Sequence, residues 1–503
     1  MPDPQTPRDE IRRNLTQTII GRPLIDKLNA STDPNAVFDV IIDPNLDFSG
    51  GRAQVSERIQ TLIRESLAPS DPDPRIRFDI AHPYVFARLT ARAIREIARR
   101  DLHREGSIAP APGKQRLTGA ERAIYRIWED MEVRAFLTSS IATVKADAAQ
   151  TAFSADGKDI VWAIIDSGID QTHEHFAPFC NLALVPPLAH KDFTPGGDSP
   201  LTDAFGHGSH VAGIVAGMMD EAKSPQAIIR TRDHESGEIT SAVRPLGRTV
   251  RGMAPRCKLI SLKVLDDDGA GKASGVIEAL AAVQTWNDFG RRIVVHGVNL
   301  SLGYPFMPEW FACGQSPLCV EVNRLVKSGV VVVVAAGNSG YGSIGATSGL
   351  IHEAGLPQTI NDPGNAEYAI TVGSTHRDMP HVYGVSYFSS KGPTGDGRLK
   401  PDLVAPGERI LSCAAGNTKE SAADGLPAAE KDKPFQYVED SGTSMAAPHV
   451  SGVIAAFLSI RREYIGQPEE VKKLFMENAT DLNRDRTFQG RGLVDLMRAI
   501  QAV

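Results

Sequence analysis

The chain has no apolar run long enough to cross a membrane. The longest, Val330 to Ala336, falls far short of the roughly 18 residues a spanning helix needs. It carries little net charge, 61 acidic against 54 basic side chains, so a general nucleic-acid binder is not expected. Its five cysteines are few and odd in number for 503 residues, which argues against a disulfide framework. Cys313 and Cys319 could pair if oxidised, or remain two reduced thiols in a loop. The first ten residues, Met1 to Glu10, hold no apolar segment of the kind that marks a secretory signal. Together these absences predict a cytoplasmic protein with reduced thiols and neither a membrane nor a nucleic-acid partner. What is present, 42% hydrophobic and 23% charged residues, is the balance of a globular chain, and its length calls for more than one core.

The pattern divides the chain. Residues 1–35 are polar and proline-bearing and read as a flexible lead. Within 36–112, Val37 to Ile42 reads as a strand and Ser56 to Ser66 as a helix. Extended segments follow from Ile76 to Leu89, broken near Ala81-His82-Pro83. Thr90 to Arg100 then reads as a helix and Leu102 to Ile108 as a last strand. Strand, helix, strand, strand, helix, strand is the order of a small α+β, ferredoxin-like domain. Residues 113–140 read as a linker with helices, since 109–118 is rich in proline and Ala120 to Thr151 looks helical. From 141 to 503, Val/Ile-rich strands (Ile160–Ile165, Lys258–Val264, Ile293–Leu300, Val330–Ala336, Tyr368–Val372) alternate with helical stretches such as Ser274–Trp286 and Val320–Lys327. That alternation predicts an α/β domain with a doubly wound, mostly parallel sheet covered on both faces. Its site is expected at the carboxyl ends of the strands. Two polar stretches, about 220–250 and 415–438, read as surface loops.

Three islands carry chemistry: Ile164-Ile165-Asp166-Ser167-Gly168, His207-Gly208-Ser209-His210 and Gly442-Thr443-Ser444-Met445-Ala446. Their order, Asp, His, Ser, is one of the chain orders of a nucleophilic triad. A serine hydroxyl needs a base within hydrogen-bond reach, and the base needs an acid to orient it. Ser444 is the candidate nucleophile, at a tight turn before an apolar helix whose first turn is read as holding Pro448. His207 is the candidate base and Asp166 the orienting acid. Gly337-Asn338-Ser339-Gly340 follows a strand, and the Asn338 amide is a candidate donor to an oxyanion.

On these motifs the chain resembles the subtilisin-like serine proteases, the subtilases, continuously from about 141 to 503. The resemblance implies a serine endopeptidase acting on proteins or peptides. It implies a catalytic role for the first histidine of His-Gly-x-His and a structural one for His210 and His173. Ser301-Leu302-Gly303 matches the family's substrate-edge segment, and Ala335-Ala336-Gly337 would form the facing wall of the first specificity pocket. Lys400 to Gly407 and Gly490 to Val494 match structural segments. The N-terminal domain resembles the family's propeptide by pattern and position, implying an intramolecular inhibitor and an autoprocessed precursor. The chemistry needs no cofactor. The family's calcium ligands cannot be matched in the long loop after the His207 helix, so structural calcium is left unassigned, and no metal site is predicted. A further extension between Asn338 and Asn365, including Ser343 to Pro357, blurs the pocket floor. Two other readings remain. In one, His173, His175, Asp203, His207 and His210 would ligate a metal, but their spacing matches no zinc motif. In the other, the chain is a silent peptide-binding homologue.

Overall fold

The computed structural model describes residues 19–31, 33, 35–78, 84–102, 122–129, 139–232, 239–309, 311–345 and 351–503. The chain falls into two units, 1–135 and 136–503.

The first unit begins with a helix, α1 (Arg22–Ala30), inside the segment expected to be a flexible lead. It continues with β1 (Val37–Pro44), α2 (Gly51–Ser66), β2 (Arg77–Phe78), β3 (Val85–Thr90), α3 (Ala91–Leu102) and β4 (Ile124–Glu129). The strands form one antiparallel sheet in the order β2-β3-β1-β4. Val40, Ile42, Ala87 and Leu89 face a core completed by Ile59, Leu62 and Ile63 of α2 and Ile94 and Ile97 of α3.

The fourth strand is not where the sequence pattern put it. The expected strand Leu102 to Ile108, the proline-rich stretch 109–118 and the break at 81–83 lie outside the described residues, except Leu102, which ends α3. Residues 124–129, expected to be helical linker, pair with β1, so the first unit runs past the expected limit at 112. Ile124 and Ile127 are three apart, a helical spacing. A bulge opposite Asp43 and Pro44 inserts one residue into β4 and lets both face the core. The buried Asp101 carboxylate fastens the strand, accepting the Ala123 N–H at 2.9 Å and the Ile124 N–H at 3.2 Å.

The second unit is built on β5 (Val161–Asp166), β6 (Lys191–Asp192), α4 (His207–Val215), β7 (Lys258–Lys263), α5 (Ala273–Trp286), β8 (Gly297–Leu300), α6 (Pro317–Lys327), β9 (Val331–Ala335), β10 (Ile370–His376), β11 (Leu403–Glu408) and α7 (Thr443–Ile460). Seven parallel strands run in the order β11-β10-β9-β8-β5-β7-β6. The Val/Ile runs are continuous because both faces are covered. Trp162 and Ile164 of β5 join the core under α7, while Ala163 and Ile165 join the core under α5 and α6. Val331, Val333 and Ala335 part from Val332 and Val334 in the same way. Gly297 lies opposite Trp162 on the neighbouring strand, and a Cβ there would collide with the indole.

By length and composition α7 could cross a membrane, but 83% of it is buried inside the unit as its central core helix. The two polar stretches are not plain loops. Gln226–Arg232 and Ile239–Pro245 form a hairpin, and Gly416–Asp424 is a helix. They share an apolar cluster of Ile228, Val243, Ala422, Leu426 and Phe435. The extension after Asn338 opens another hairpin, Tyr341–Gly345 with Ile351–Gly355. All five cysteines, Cys313 and Cys319 included, are free thiols.

Candidate active site

Asp166 ends β5, with its side chain 1% exposed. One carboxylate oxygen, Oδ1, accepts the Ser167 N–H at 2.8 Å and faces His207 Nδ1 at 2.7 Å. His207 opens α4. Gly208 lets that helix end sit against the strand exit, since a Cβ there would collide with the Gly168 carbonyl.

Asp203 supports the same helix end. Its buried carboxylate takes the Gly206 and Ser209 N–H groups, each at 2.7 Å, and the Ser167 hydroxyl at 2.8 Å. Ser167 Oγ in turn accepts the Gly208 N–H at 2.9 Å. Neither residue was singled out as a support in the sequence, although an acid placed shortly before a helix start is a capping signal.

Burial by itself would push the His207 imidazole down. The charge and hydrogen bond of Asp166, with the charges of Asp440 and Asp203, reverse this and raise it to about 9. The other histidines of the region go the opposite way. His210 Nε2 lies 3.1 Å from the Ile410 carbonyl and His173 Nε2 lies 2.8 Å from that of Gln436. Burial lowers both. It lowers His175, which contacts Tyr437 Oη at 2.9 Å, to about 3. Such hydrogen bonds engage both ring nitrogens of His173 and His175 and one of His210. Among the described residues no group of three or more such ligands is placed to hold an ion.

Ser444 is the second residue of α7. Its hydroxyl donates to the Ser301 carbonyl at 3.0 Å, and among the described residues no hydrogen bond joins it to His207. Catalytic bonds of this kind often tighten only when substrate binds. Pro448 is not in the first turn as expected but inside the helix. Asn338 Oδ1 accepts the Thr443 N–H at 2.9 Å and the Thr443 hydroxyl at 3.0 Å. With its oxygen so engaged, the amide presents its two N–H donors elsewhere.

Ser301, Leu302 and Gly303 leave the end of β8, and Ala335, Ala336 and Gly337 leave the end of β9, its parallel neighbour. Among the described residues the Leu302 and Gly303 backbone makes no hydrogen bond, so it forms an open edge. Beside it lies a groove of about 350 Å³ lined by Phe205, His207, Leu265, Gly271, Leu302 and Tyr304.

The Subtilase family profile matches residues 157–493, and this span contains the Asp166, His207, Asn338 and Ser444 segments. The chain belongs to the subtilase family. This subtilase is 30% identical over 383 residues to Serine protease AprX of Bacillus subtilis (strain 168), covering 75% of this chain and 74% of that protein. It is 28% identical to Subtilisin DY of Bacillus licheniformis over 72% of this chain and 97% of that protein. It is 32% identical to Pyrolysin of Pyrococcus furiosus over 59% of this chain but 21% of that much longer protein. It is therefore a serine-type peptidase on the subtilisin-like α/β fold.

Proposed function

We propose that this subtilase cleaves peptide bonds through Ser444, His207 and Asp166, by way of an acyl-enzyme. His207 Nε2 takes the proton from Ser444 Oγ as the oxygen attacks the scissile carbonyl. Asp166 holds the Nδ1–H and stabilises the imidazolium that forms. The Asn338 amide and the Ser444 N–H donate to the oxyanion. The imidazolium then passes its proton to the leaving amine, and water, activated by the same imidazole, releases the acyl group. No cofactor takes part.

The observation that carries this reading is the 2.7 Å contact between His207 Nδ1 and the buried Asp166 carboxylate. It stands at the carboxyl end of β5, beside β8, whose following residue Ser301 accepts the Ser444 hydroxyl. The open edge of Leu302 and Gly303 would pair with an extended substrate, and Ala335 to Gly337 would face it. The groove lined by Phe205, Leu265 and Leu302 suits an apolar side chain.

The N-terminal unit would serve as an intramolecular inhibitor released by self-cleavage between 109 and 150, at a bond beyond β4 so that its sheet stays whole. Its strand-helix-strand-strand-helix-strand order supports this role. The test is intact mass of the full chain after a fluorophosphonate, with Ser444→Ala alongside. One adduct and a shortened mass in the wild type alone are expected. Peptide binding with neither adduct nor turnover would instead favour a silent homologue.

A further inference from the structure

Pro448 removes one rung from the helix that carries Ser444. In an unbroken helix residue 448 would donate its N–H to the carbonyl four residues back, that of Ser444. Proline has no such donor. The carbonyl is taken instead by Ser301 Oγ at 2.8 Å. Ser301 Oγ accepts in its turn from Asn299 Nδ2 at 2.9 Å, and Asn299 Oδ1 accepts from Ser451 Oγ at 2.9 Å.

Ser301 is 4% exposed, and Asn299 and Ser451 are fully buried. Each hydroxyl has one proton to give, and the amide has a donor end and an acceptor end. The chain therefore has one consistent proton arrangement, running from Ser451 through Asn299 and Ser301 to the Ser444 carbonyl. Ser451 lies on α7 itself, so the bonds leave the helix, cross the end of β8 and return to the helix. The Ser301 carbonyl meanwhile accepts the Ser444 hydroxyl. Ser301 thus holds Ser444 at both its carbonyl and its hydroxyl.

We propose that Asn299, Ser301 and Ser451 form a positioning relay that fixes the backbone of Ser444, and with it the direction of its hydroxyl and N–H, for acyl transfer. The inference rests on Ser444 as the nucleophile. A relay that merely holds the fold would change melting temperature and leave turnover alone. A positioning relay changes kcat at nearly constant KM.

The experiment uses the full chain as wild type, Ser301→Ala, Asn299→Ala, the double variant and Ser451→Ala. It reads fluorophosphonate labelling rate, kcat, KM and melting temperature. Ser301→Ala should lower kcat and the labelling rate about tenfold or more, as small misplacements of a nucleophile do, with KM within about twofold. Asn299 acts through Ser301, so the double variant should match Ser301→Ala. Losses that multiply, or an unchanged kcat in Ser301→Ala, would overturn the relay. If Ser301→Ala does not fold, Ser451→Ala decides. That change removes only the outermost hydroxyl and should cost about twofold to fourfold in kcat, and an unchanged kcat there also overturns the inference. A wild type that binds peptide yet neither labels nor turns over would sink the nucleophile reading first, and the relay with it.

Discussion

The two units build sheets of opposite kinds. In the N-terminal unit the strands are antiparallel, and their inward residues share one core with two helices. In the subtilase unit seven parallel strands are buried on both faces. A parallel sheet turns every carboxyl end the same way, and three adjacent strands use that. Asp166 ends β5, Ser301 follows β8 and Asn338 comes three residues after β9. An antiparallel sheet sends its ends to both sides and offers no such convergence. The buried Asp101 of the N-terminal unit fastens backbone. In the subtilase unit the buried Asn299, Ser301 and Ser451 bond to one another.

The largest expected effect tests that division from the chemical side. Asn338→Leu removes the proposed oxyanion donor while keeping the volume of an exposed side chain. Turnover should fall by roughly 10²–10³, a magnitude taken from the equivalent loss in subtilisin itself. Melting should also fall, because the change strands the N–H and the hydroxyl of the buried Thr443, so turnover is compared at a temperature where both proteins are folded. Equal turnover in the variant would remove Asn338 from the mechanism. Ile59→Ala tests it from the packing side. Ile59 is fully buried between α2 and the sheet, and the cavity should cost roughly 3 kcal/mol. Amide exchange in β1 and β3 would report it. Protection unchanged there would mean the N-terminal core is not organised as described.

The same contrast explains what could be read from the sequence. Asp166, His207, Asn338 and Ser444 stand in short motifs because each sits at an element end, where small neighbours are needed. The parallel sheet was legible because burial on both faces demands continuous Val and Ile. β4 was not legible, because a bulge gave Ile124 and Ile127 a helical spacing. The hairpin at 226–245 was hidden among charges, since only Ala227, Ile228 and Val243 of its residues with described burial are buried. Asn299 and Ser451 carried no signal, being ordinary polar letters in apolar runs. Their role follows from Pro448, and the sequence does not say which side chain takes the carbonyl that this proline leaves free.

Acid should separate the units next. Burial holds His175 at about 3, and His296 and His449 at about 4, below the ordinary 6.5. A histidine lowered in the folded state is neutral there while the unfolded chain takes up a proton. Its contribution to stability is complete above about 6.5 and is lost as pH falls toward 4, at up to about 1.4 kcal/mol per pH unit for each group. The described residues of the N-terminal unit include no histidine. Amide exchange followed from pH 7 to 4 should therefore weaken β5 and α7 before β1 and β3. Loss in the reverse order would contradict the assignment.

The smallest expected effect concerns the one histidine of the site that moves the other way. His207 is raised to about 9, so it is protonated over most of the neutral range, yet a general base must be neutral to accept the Ser444 proton. The acid limb of kcat/KM should accordingly lie well above 6.5 and activity should climb into the alkaline range. Asp166 cannot be removed to test this without losing the orientation of the ring. Asp440 can. It ends the strand that leads into Gly442, its Oδ1 accepts the Ser441 N–H at 2.7 Å, and among the described residues it has no cationic partner. Its charge nevertheless favours the imidazolium. Asp440→Asn keeps the shape and the N–H acceptor but removes the charge, so the limb should move down by a fraction of a pH unit while the alkaline plateau of kcat stays put. A limb unmoved in Asp440→Asn would mean that water screens this carboxylate and that Asp166 and Asp203 set the base. A plateau that fell with it would mean that Asp440 shapes the Gly442 turn, and its effect would then belong to geometry and not to charge.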